Sequence, residues 1–225
     1  KIPFDDRVVA AVALQARFPT AQAGEPVFLV SEAVDVTGGK LAAGRSGDMF
    51  KGISTDTRAL RPGNLFVALQ GENFDGHDFA AGALEKGAAG IMISKPLGDE
   101  KKIPQRAFVL QVQDTLKALG DLAGAYRRRF AIPVVGLTGS SGKTTTKEML
   151  ACILAQEKKV LYTEGNFNNQ IGLSMTIFRL RPEHEIAVLE MGTNMPGEIK
   201  RLTQIAAPDI ALITNIGPAH LAGFK

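Results

Sequence analysis

Residues 134–146 read VVGLTGSSGKTTT, in which an apolar run enters a glycine turn and a lysine and three threonines open the segment that follows. A strand running into a tight turn that starts a helix aims backbone N–H groups and the positive helix end at one spot, where a phosphate fits. Gly139, Ser140, Ser141, Gly142, Lys143, Thr144 and Thr145 form that cradle, and Lys143 adds a full positive charge to it. The Thr144 hydroxyl is the expected Mg²⁺ ligand, because Mg²⁺ takes oxygen donors and bridges nucleotide phosphates. A strict P-loop would place glycine where Leu137 stands, so the pattern is a shorter GxxGKT form. A plain strand-to-helix turn with a lysine cap is the bland alternative. The coincidence of strand, turn, Lys, Thr and helix favours a nucleotide, ATP or GTP.

Three later sites could join this loop. Glu190 ends the apolar run Ile186-Ala187-Val188-Leu189 and so sits at the carboxyl end of a strand, the edge at which open α/β sheets bind ligands. A carboxylate there can complete a Mg²⁺ shell or form an edge salt bridge. His220 follows the strand and turn over residues 210–218, and a histidine there is either a ligand or structural. The segment GNFNNQIG, residues 165–172, carries Asn168 and Asn169, whose amides suit a polar ligand or an Asn-rich turn.

The elements that must position these residues are those of an α/β protein: a small mixed α/β domain followed by a parallel-sheet domain carrying the phosphate loop. In the first half, residues 64–69, 91–94 and 107–112 read as strands, and residues 77–86 and 114–130 as helices, the second capped by Asp114. The run Arg127, Arg128, Arg129 reads as a solvated helix end facing the dipole, and Ile132-Pro133 then marks a boundary near residue 131. Beyond it, residues 134–138 form a buried strand and residues 143–158 a helix whose Met149 and Cys152 are expected in the core. Two further βα units carry strands at 186–190 and 209–214. Residues 1–26, with a short helical pattern over 7–17, read as an appendage or linker. The expected division is therefore 1–26, 27–130 and 131–225.

Composition narrows the function. The 225 residues carry 26 Lys and Arg against 23 Asp and Glu, a net +3 that points to no nucleic-acid surface. With no Trp and two Tyr, an aromatic stacking platform for single strands is not expected. One cysteine precludes an internal disulfide and fits a reducing cytoplasm. No stretch approaches the ~20 apolar residues of a membrane span, and the first 20 residues lack the apolar core of a signal peptide.

In order, TGSSGKTTTKEML, GNFNNQIG, LEMGTNMPGEI and TNIGPAHLAGF resemble the ATP-dependent Mur ligases. The first half agrees: Ser54-Thr55-Asp56-Thr57-Arg58, then RPGNLFVAL, then GENFDGHDF are similar to the uridine-diphosphate-sugar-binding domain of that family's later-acting members. The resemblance covers residues 27–225. It implies a cytoplasmic bacterial enzyme of peptidoglycan precursor synthesis that joins D-alanyl-D-alanine to UDP-N-acetylmuramoyl-tripeptide through an acyl phosphate, using ATP and Mg²⁺. Gly139, Ser141, Gly142 and Lys143 would wrap the ATP phosphates, Thr144 and Glu190 would hold metal, and His220 would hold a second Mg²⁺. Lys143, Glu190 and His220 form the implied catalytic set. Asn168, Asn169 and Asn194 would face substrate or nucleotide. Ser54, Thr55, Asp56, Thr57 and Arg58 would lie along the UDP-sugar, with Thr57 and Arg58 at its diphosphate and Asp75, Gly76 and His77 around the uracil end. Ser174 stands where the family often has proline, a departure that touches a turn.

The resemblance also implies a central domain running past Lys225 and a third domain after it, so these residues alone are expected to bind rather than turn over. Lys1 to Ala10 (KIPFDDRVVA) faintly resemble the tail of the ligase acting one step earlier, as a fusion or an early start would produce. A monomer is expected. The competing readings are the sister ligase that adds the third amino acid, a folylpolyglutamate synthase, a P-loop switch or kinase, and a nucleotide-sugar-binding piece without catalysis. The Asp56-Thr57-Arg58 and DGH motifs weigh against the folate enzyme, and Leu137 weighs against the switch.

Overall fold

Apolar runs too short to cover themselves become the inner strands of two sheets. The structure, a computed structural model, describes residues 24–71, 74–96 and 103–217. The first half runs β1 (Val27–Leu29), α1 (Val30–Thr37), β2 (Lys40–Ala43), β3 (Met49–Lys51), β4 (Ile53–Ser54), β5 (Leu65–Val67), α2 (Ala80–Glu85), β6 (Gly90–Ile93), β7 (Phe108–Gln111) and α3 (Thr115–Arg127). Its sheet has the order β2-β7-β6-β5-β4, parallel except for the edge strand β2, while β1 and β3 form a separate antiparallel ribbon. The second half runs β8 (Val134–Thr138), α4 (Lys143–Leu154), β9 (Val160–Tyr162), α5 (Gln170–Ile177), β10 (Ile186–Glu190), α6 (Glu198–Ala206) and β11 (Ile210–Ile213). These four strands are all parallel, in the order β11-β8-β10-β9. Burial on both faces explains the unbroken apolar reading of β8 and β10.

Helix α3 is the beam between the sheets, packing on α1 on one side and on α5 and α6 on the other. Asp114 caps it, its carboxylate accepting from the Lys117 N–H at 2.9 Å. Its apolar face (Leu119, Leu122, Tyr126) joins one core that runs from Phe28, Phe50 and Phe108 to Val134 and Leu189. Phe28 stacks on Phe50 at 5.4 Å, Tyr126 meets Phe130 edge-on at 5.1 Å, and the Tyr126 hydroxyl donates to the Leu180 carbonyl.

Several expectations fail here. The Arg127–Arg129 run is no solvated helix end. Arg127 is buried, donating to the carbonyls of Phe130 (2.7 Å), Ile132 (3.1 Å) and Ala206 (3.2 Å). Arg129 turns the other way, lying 4.3 Å over the Phe28 ring and bonding the Val27 carbonyl and Glu32. Of the three only Arg128 is exposed, because α3 ends in the seam between the sheets, where two arginines meet chain ends on opposite sides. Met149 and Cys152 are exposed rather than core, since α4 buries only Lys147 and Ala151 and ends at Leu154. The expected helix 77–86 divides into a 3₁₀ turn, Gly76–Phe79, and the short α2. Strands β1, β2, β3 and β9 expose or half-expose part of their residues and β4 has two residues, so no unbroken apolar run marks them in the sequence. The helical pattern over residues 7–17 lies outside the described residues.

Candidate functional site

Parallel strands deliver their carboxyl ends to one edge, and in the second sheet that edge collects the phosphate loop after β8, Thr163 after β9, Glu190 at the end of β10 and Thr214 after β11. The loop turns on glycines. Gly139 has φ of +141°, and a Cβ there would stand 2.1 Å from Thr214 Oγ1, so only glycine permits the passage. Gly142, left-handed, begins α4 with no side chain capping its N-terminal amides, which leaves that helix end to an anion. Lys143 arches back over the loop and donates to the Gly139 carbonyl at 2.7 Å.

The segment after β11 buttresses the loop from the far side. Asn215 accepts from the Ser141 N–H at 3.0 Å and donates to Ser141 Oγ at 2.7 Å, Thr214 Oγ1 donates to the Ser141 carbonyl, and Ser140 Oγ exchanges hydrogen bonds with Gly217. Asn215 and Thr214 were not singled out in the sequence. The TNIG run contains them, but a supporting role shows only once β11 is seen beside β8.

Glu190 pairs in register with Leu137, which places its carboxyl group beside the start of α4. It is 1 % exposed. One oxygen, Oε1, accepts from Asn168 Nδ2 at 2.8 Å and lies 3.4 Å from Thr144 Oγ1, while the Thr163 hydroxyl receives the Glu190 N–H. Glu190 Oε2 is the buried side-chain polar atom that has no hydrogen-bond partner among the described residues. A buried carboxylate with one oxygen next to a threonine hydroxyl and the other without a hydrogen bond, beside an uncapped helix start, fits a hard divalent cation shared with a nucleotide. Among the described residues there is no group of three or more His, Cys, Asp and Glu that could hold a metal ion. His220 lies outside the described residues.

The Asn-rich segment divides its labour. Asn168 reaches Glu190, but Asn169 is the N-cap of α5, accepting from the Gly172 N–H at 2.8 Å. Asn194 is exposed, and its N–H and that of Met195 are held by the Glu198 carboxylate, which reaches back from the first turn of α6. Lys147, buried beneath this site, was passed over in the sequence. Its one available signal is the spacing of four from Lys143, which sets both on neighbouring positions of one helix face.

The first sheet gathers its own residues at its carboxyl edge. Ser54 is buried at the end of β4, its hydroxyl donating to the Asp56 carbonyl at 2.8 Å across a turn that also contains Thr55. Arg58 folds back onto Asp56 through three guanidinium hydrogen bonds of 2.7–3.0 Å, which holds that carboxyl down at about 2 and pushes the arginine up. The Thr57 carbonyl accepts from Lys86 Nζ. Asp75, after β5, bonds Lys95 and both the N–H and ring Nδ1 of His77, and the Lys95 ammonium foremost holds its carboxyl well below the usual carboxylate range. His77 is buried, with Nε2 accepting from the Ser94 N–H at 3.0 Å, so both ring nitrogens are engaged in locking this edge. Gly76 is fitted against backbone, with a Cβ there 2.7 Å from the Leu69 N and O atoms. The structure thus makes two clusters, Ser54–Arg58 and Asp75–His77, each after a strand of the first sheet, and a third around Lys143, Thr144, Asn168 and Glu190 on the second.

Comparison with known proteins assigns both halves. Residues 49–127 match the model described as Mur ligase family, catalytic domain, and residues 137–225 match the Mur ligase middle domain. The UDP-N-acetylmuramoyl-tripeptide--D-alanyl-D-alanine ligase of Escherichia coli (strain K12) is 46% identical over 196 residues, covering 87% of this chain and 41% of that protein. The Bacillus subtilis (strain 168) protein of the same name is 46% identical over 170 residues, covering 76% and 36%. A crystal structure of MurF from Acinetobacter baumannii superposes with a TM-score of 0.81 at 39% identity, over 89% of this chain and 43% of that one. MurF from Thermotoga maritima in complex with ADP gives 0.67 at 40% identity, over 75% and 38%. The chain spans about two fifths of the length of the relatives it matches. No described helix is long and apolar enough to cross a membrane.

Proposed function

The chain belongs to the Mur ligase family, most like its MurF members, and from that premise we propose that it is part of the ligase that joins D-alanyl-D-alanine to UDP-N-acetylmuramoyl-tripeptide at the expense of ATP. Both substrates and ATP are polar cytoplasmic metabolites, and the bacterial cytoplasm is the compartment that suits the reaction. The observation that carries the reading is Glu190, a buried carboxylate with one oxygen beside Thr144 and the other without a hydrogen bond, set against the uncapped start of α4.

In the reaction, the terminal carboxylate of the tripeptide attacks the γ-phosphorus of ATP, the bond to the β-phosphate oxygen breaks, and an acyl phosphate and ADP form. The amine of D-alanyl-D-alanine then attacks the acyl carbon, phosphate leaves, and the amine loses its proton to solvent or phosphate. Backbone N–H groups of Gly142 to Thr145 and the Lys143 ammonium hold the phosphates and stabilise charge that moves onto the β–γ bridge, where such sites supply most of their rate. Thr144 and Glu190 would hold Mg²⁺, which when bound neutralises phosphate charge. Asn168 keeps Glu190 aimed by donating to Oε1, the oxygen beside Thr144. On the first sheet, Thr57 and Arg58 take the diphosphate of the nucleotide sugar, Arg58 exchanging its exposed partner Asp56 for a phosphate, a substitution guanidinium geometry favours. The locked Asp75–Gly76–His77 turn shapes the edge for the uracil end, with Asn194 on the side of the incoming peptide.

Calorimetry tests this. The chain is expected to bind UDP-N-acetylmuramoyl-tripeptide in preference to UDP-N-acetylglucosamine, and to bind Mg-ATP with an affinity that Lys143→Ala lowers by about tenfold or more, the loss of one charge-assisted contact. A chain indifferent to uridine nucleotides, or an ATP affinity untouched by Lys143→Ala, would refute the proposal.

A further inference from the structure

Lys147 is completely buried, one helical turn beyond Lys143. Taking an ammonium out of water costs several kcal/mol unless its surroundings compensate, and an apolar residue would fill the inner face of α4 without that cost. The compensation comes from three directions. Lys147 Nζ donates to the Gly165 carbonyl at 3.0 Å, pairs with the half-exposed Glu148 at 2.9 Å, and stands 3.9 Å from Glu190 Oε2. That oxygen is the one without a hydrogen bond, whereas Oε1 is occupied by Asn168 and faces Thr144. The ammonium therefore sits where α4, the loop after β9 and the end of β10 converge. It lies near enough to Oε2 to balance its charge and too far to saturate it.

We infer that Lys147 is a positioning residue of the nucleotide site: its ammonium, on the Oε2 side, supplies the counter-charge that keeps the Glu190 carboxylate at the buried strand end with Oε1 turned to Thr144 and a metal–nucleotide complex, and its bond to the Gly165 carbonyl holds the loop from which Asn168 reaches Oε1. The inference rests on the reading of Glu190 as a metal-binding carboxylate. An apolar residue would leave the carboxylate buried without a cation.

The test compares ATP affinity in Mg²⁺ and in EDTA, by calorimetry, for the wild-type chain and for Lys147→Met. Outer-shell partners of metal ligands are typically worth ~10–100-fold in metal affinity, so Lys147→Met is expected to lose that much of the Mg²⁺-dependent gain while its affinity in EDTA stays within ~3-fold, a change of under ~1 kcal/mol. A purely structural lysine would lower the melting temperature and leave the ratio of the two affinities alone. Lys147→Met is also expected to melt lower than wild type, and the double variant Lys147→Met/Glu190→Gln to recover part of the loss, because removing both members of a buried pair costs less than removing one. Should Lys147→Met not fold, the double variant is expected to, and its failure would overturn the inference. A wild-type chain that binds ATP equally with Mg²⁺ and EDTA would refute the functional reading of Glu190 and the inference with it. A wild type that responds to Mg²⁺ while Lys147→Met responds equally would overturn the inference alone.

Discussion

Replacing Arg127 with methionine separates a clamp from a decoration. The guanidinium stem of Arg127 runs through the seam at the end of α3, and its side chain is 8% exposed. Its head donates to the Phe130, Ile132 and Ala206 carbonyls and lies 3.4 Å from Asp209, whose carboxylate also accepts from the Val134 N–H. Methionine keeps the volume of the stem and removes every donor. Three carbonyls, those of Phe130 and Ala206 buried and that of Ile132 partly so, losing a partner cost ~1–2 kcal/mol each, and the return of a few kcal/mol from no longer desolvating a cation offsets part of this. The expected net loss is ~2–3 kcal/mol, which at a slope of ~2 kcal/mol/M moves a urea midpoint down by ~1–1.5 M. Tyrosine fluorescence reads the transition cleanly because the chain has no Trp and two Tyr, with Tyr126 in the seam itself. Arg128→Met, on the exposed residue of the run, is the control and is expected within ~0.5 kcal/mol of wild type. A loss for Arg127→Met no larger than that of the control would refute the clamp and restore the picture of a solvated helix end.

Gly139→Ala, by forcing a Cβ to within 2.1 Å of Thr214 Oγ1 at a positive φ, is expected to abolish Mg-ATP binding in calorimetry while uridine nucleotide binding on the first sheet persists. Asn168→Ala and Asn169→Ala should part company: the second removes a helix cap and costs ~1 kcal/mol in thermal unfolding, whereas the first frees Glu190 and shows chiefly in Mg-ATP affinity. In Asp75→Asn the pH profile is diagnostic. A carboxyl group held low by Lys95 and His77 stabilises the fold above its unfolded value of 3.8 and loses that contribution as pH falls through its lower folded value. The melting temperature of wild type is therefore expected to exceed that of the variant near neutrality, and the gap to close below about pH 4. A gap constant down to pH 2.5 would show that the Asp75 turn does not depend on the charge.

The parts of this protein that contiguous residues encode were legible without coordinates. Strand β8, the Gly139–Gly142 turn and the start of α4 at Lys143 follow from local sterics, the missing Cβ and the helix dipole, all set within a dozen residues. The Asp114 cap of α3 and the strand ending in Glu190 were readable for the same reason. What was misread depends on which elements meet. Arg127 looks like a solvated charge in any local window and Met149 like a core residue, while Lys147 draws no notice there. Their burial or exposure is decided by partners up to 82 residues away, such as the Ala206 carbonyl and the Asp209 carboxylate that meet Arg127.

The sequence by itself thus determined the groups on offer, a glycine turn and lysine at a helix start with a hydroxyl beside them and a carboxylate at a strand end, because residue type and short spacing suffice for that. Tertiary structure alone decided which oxygen of Glu190 faces Thr144 and which of two neighbouring asparagines serves it. It also decided that a buried ammonium stands behind the pair, since parallel register and helix packing bring together groups that the chain separates by 22 to 46 residues.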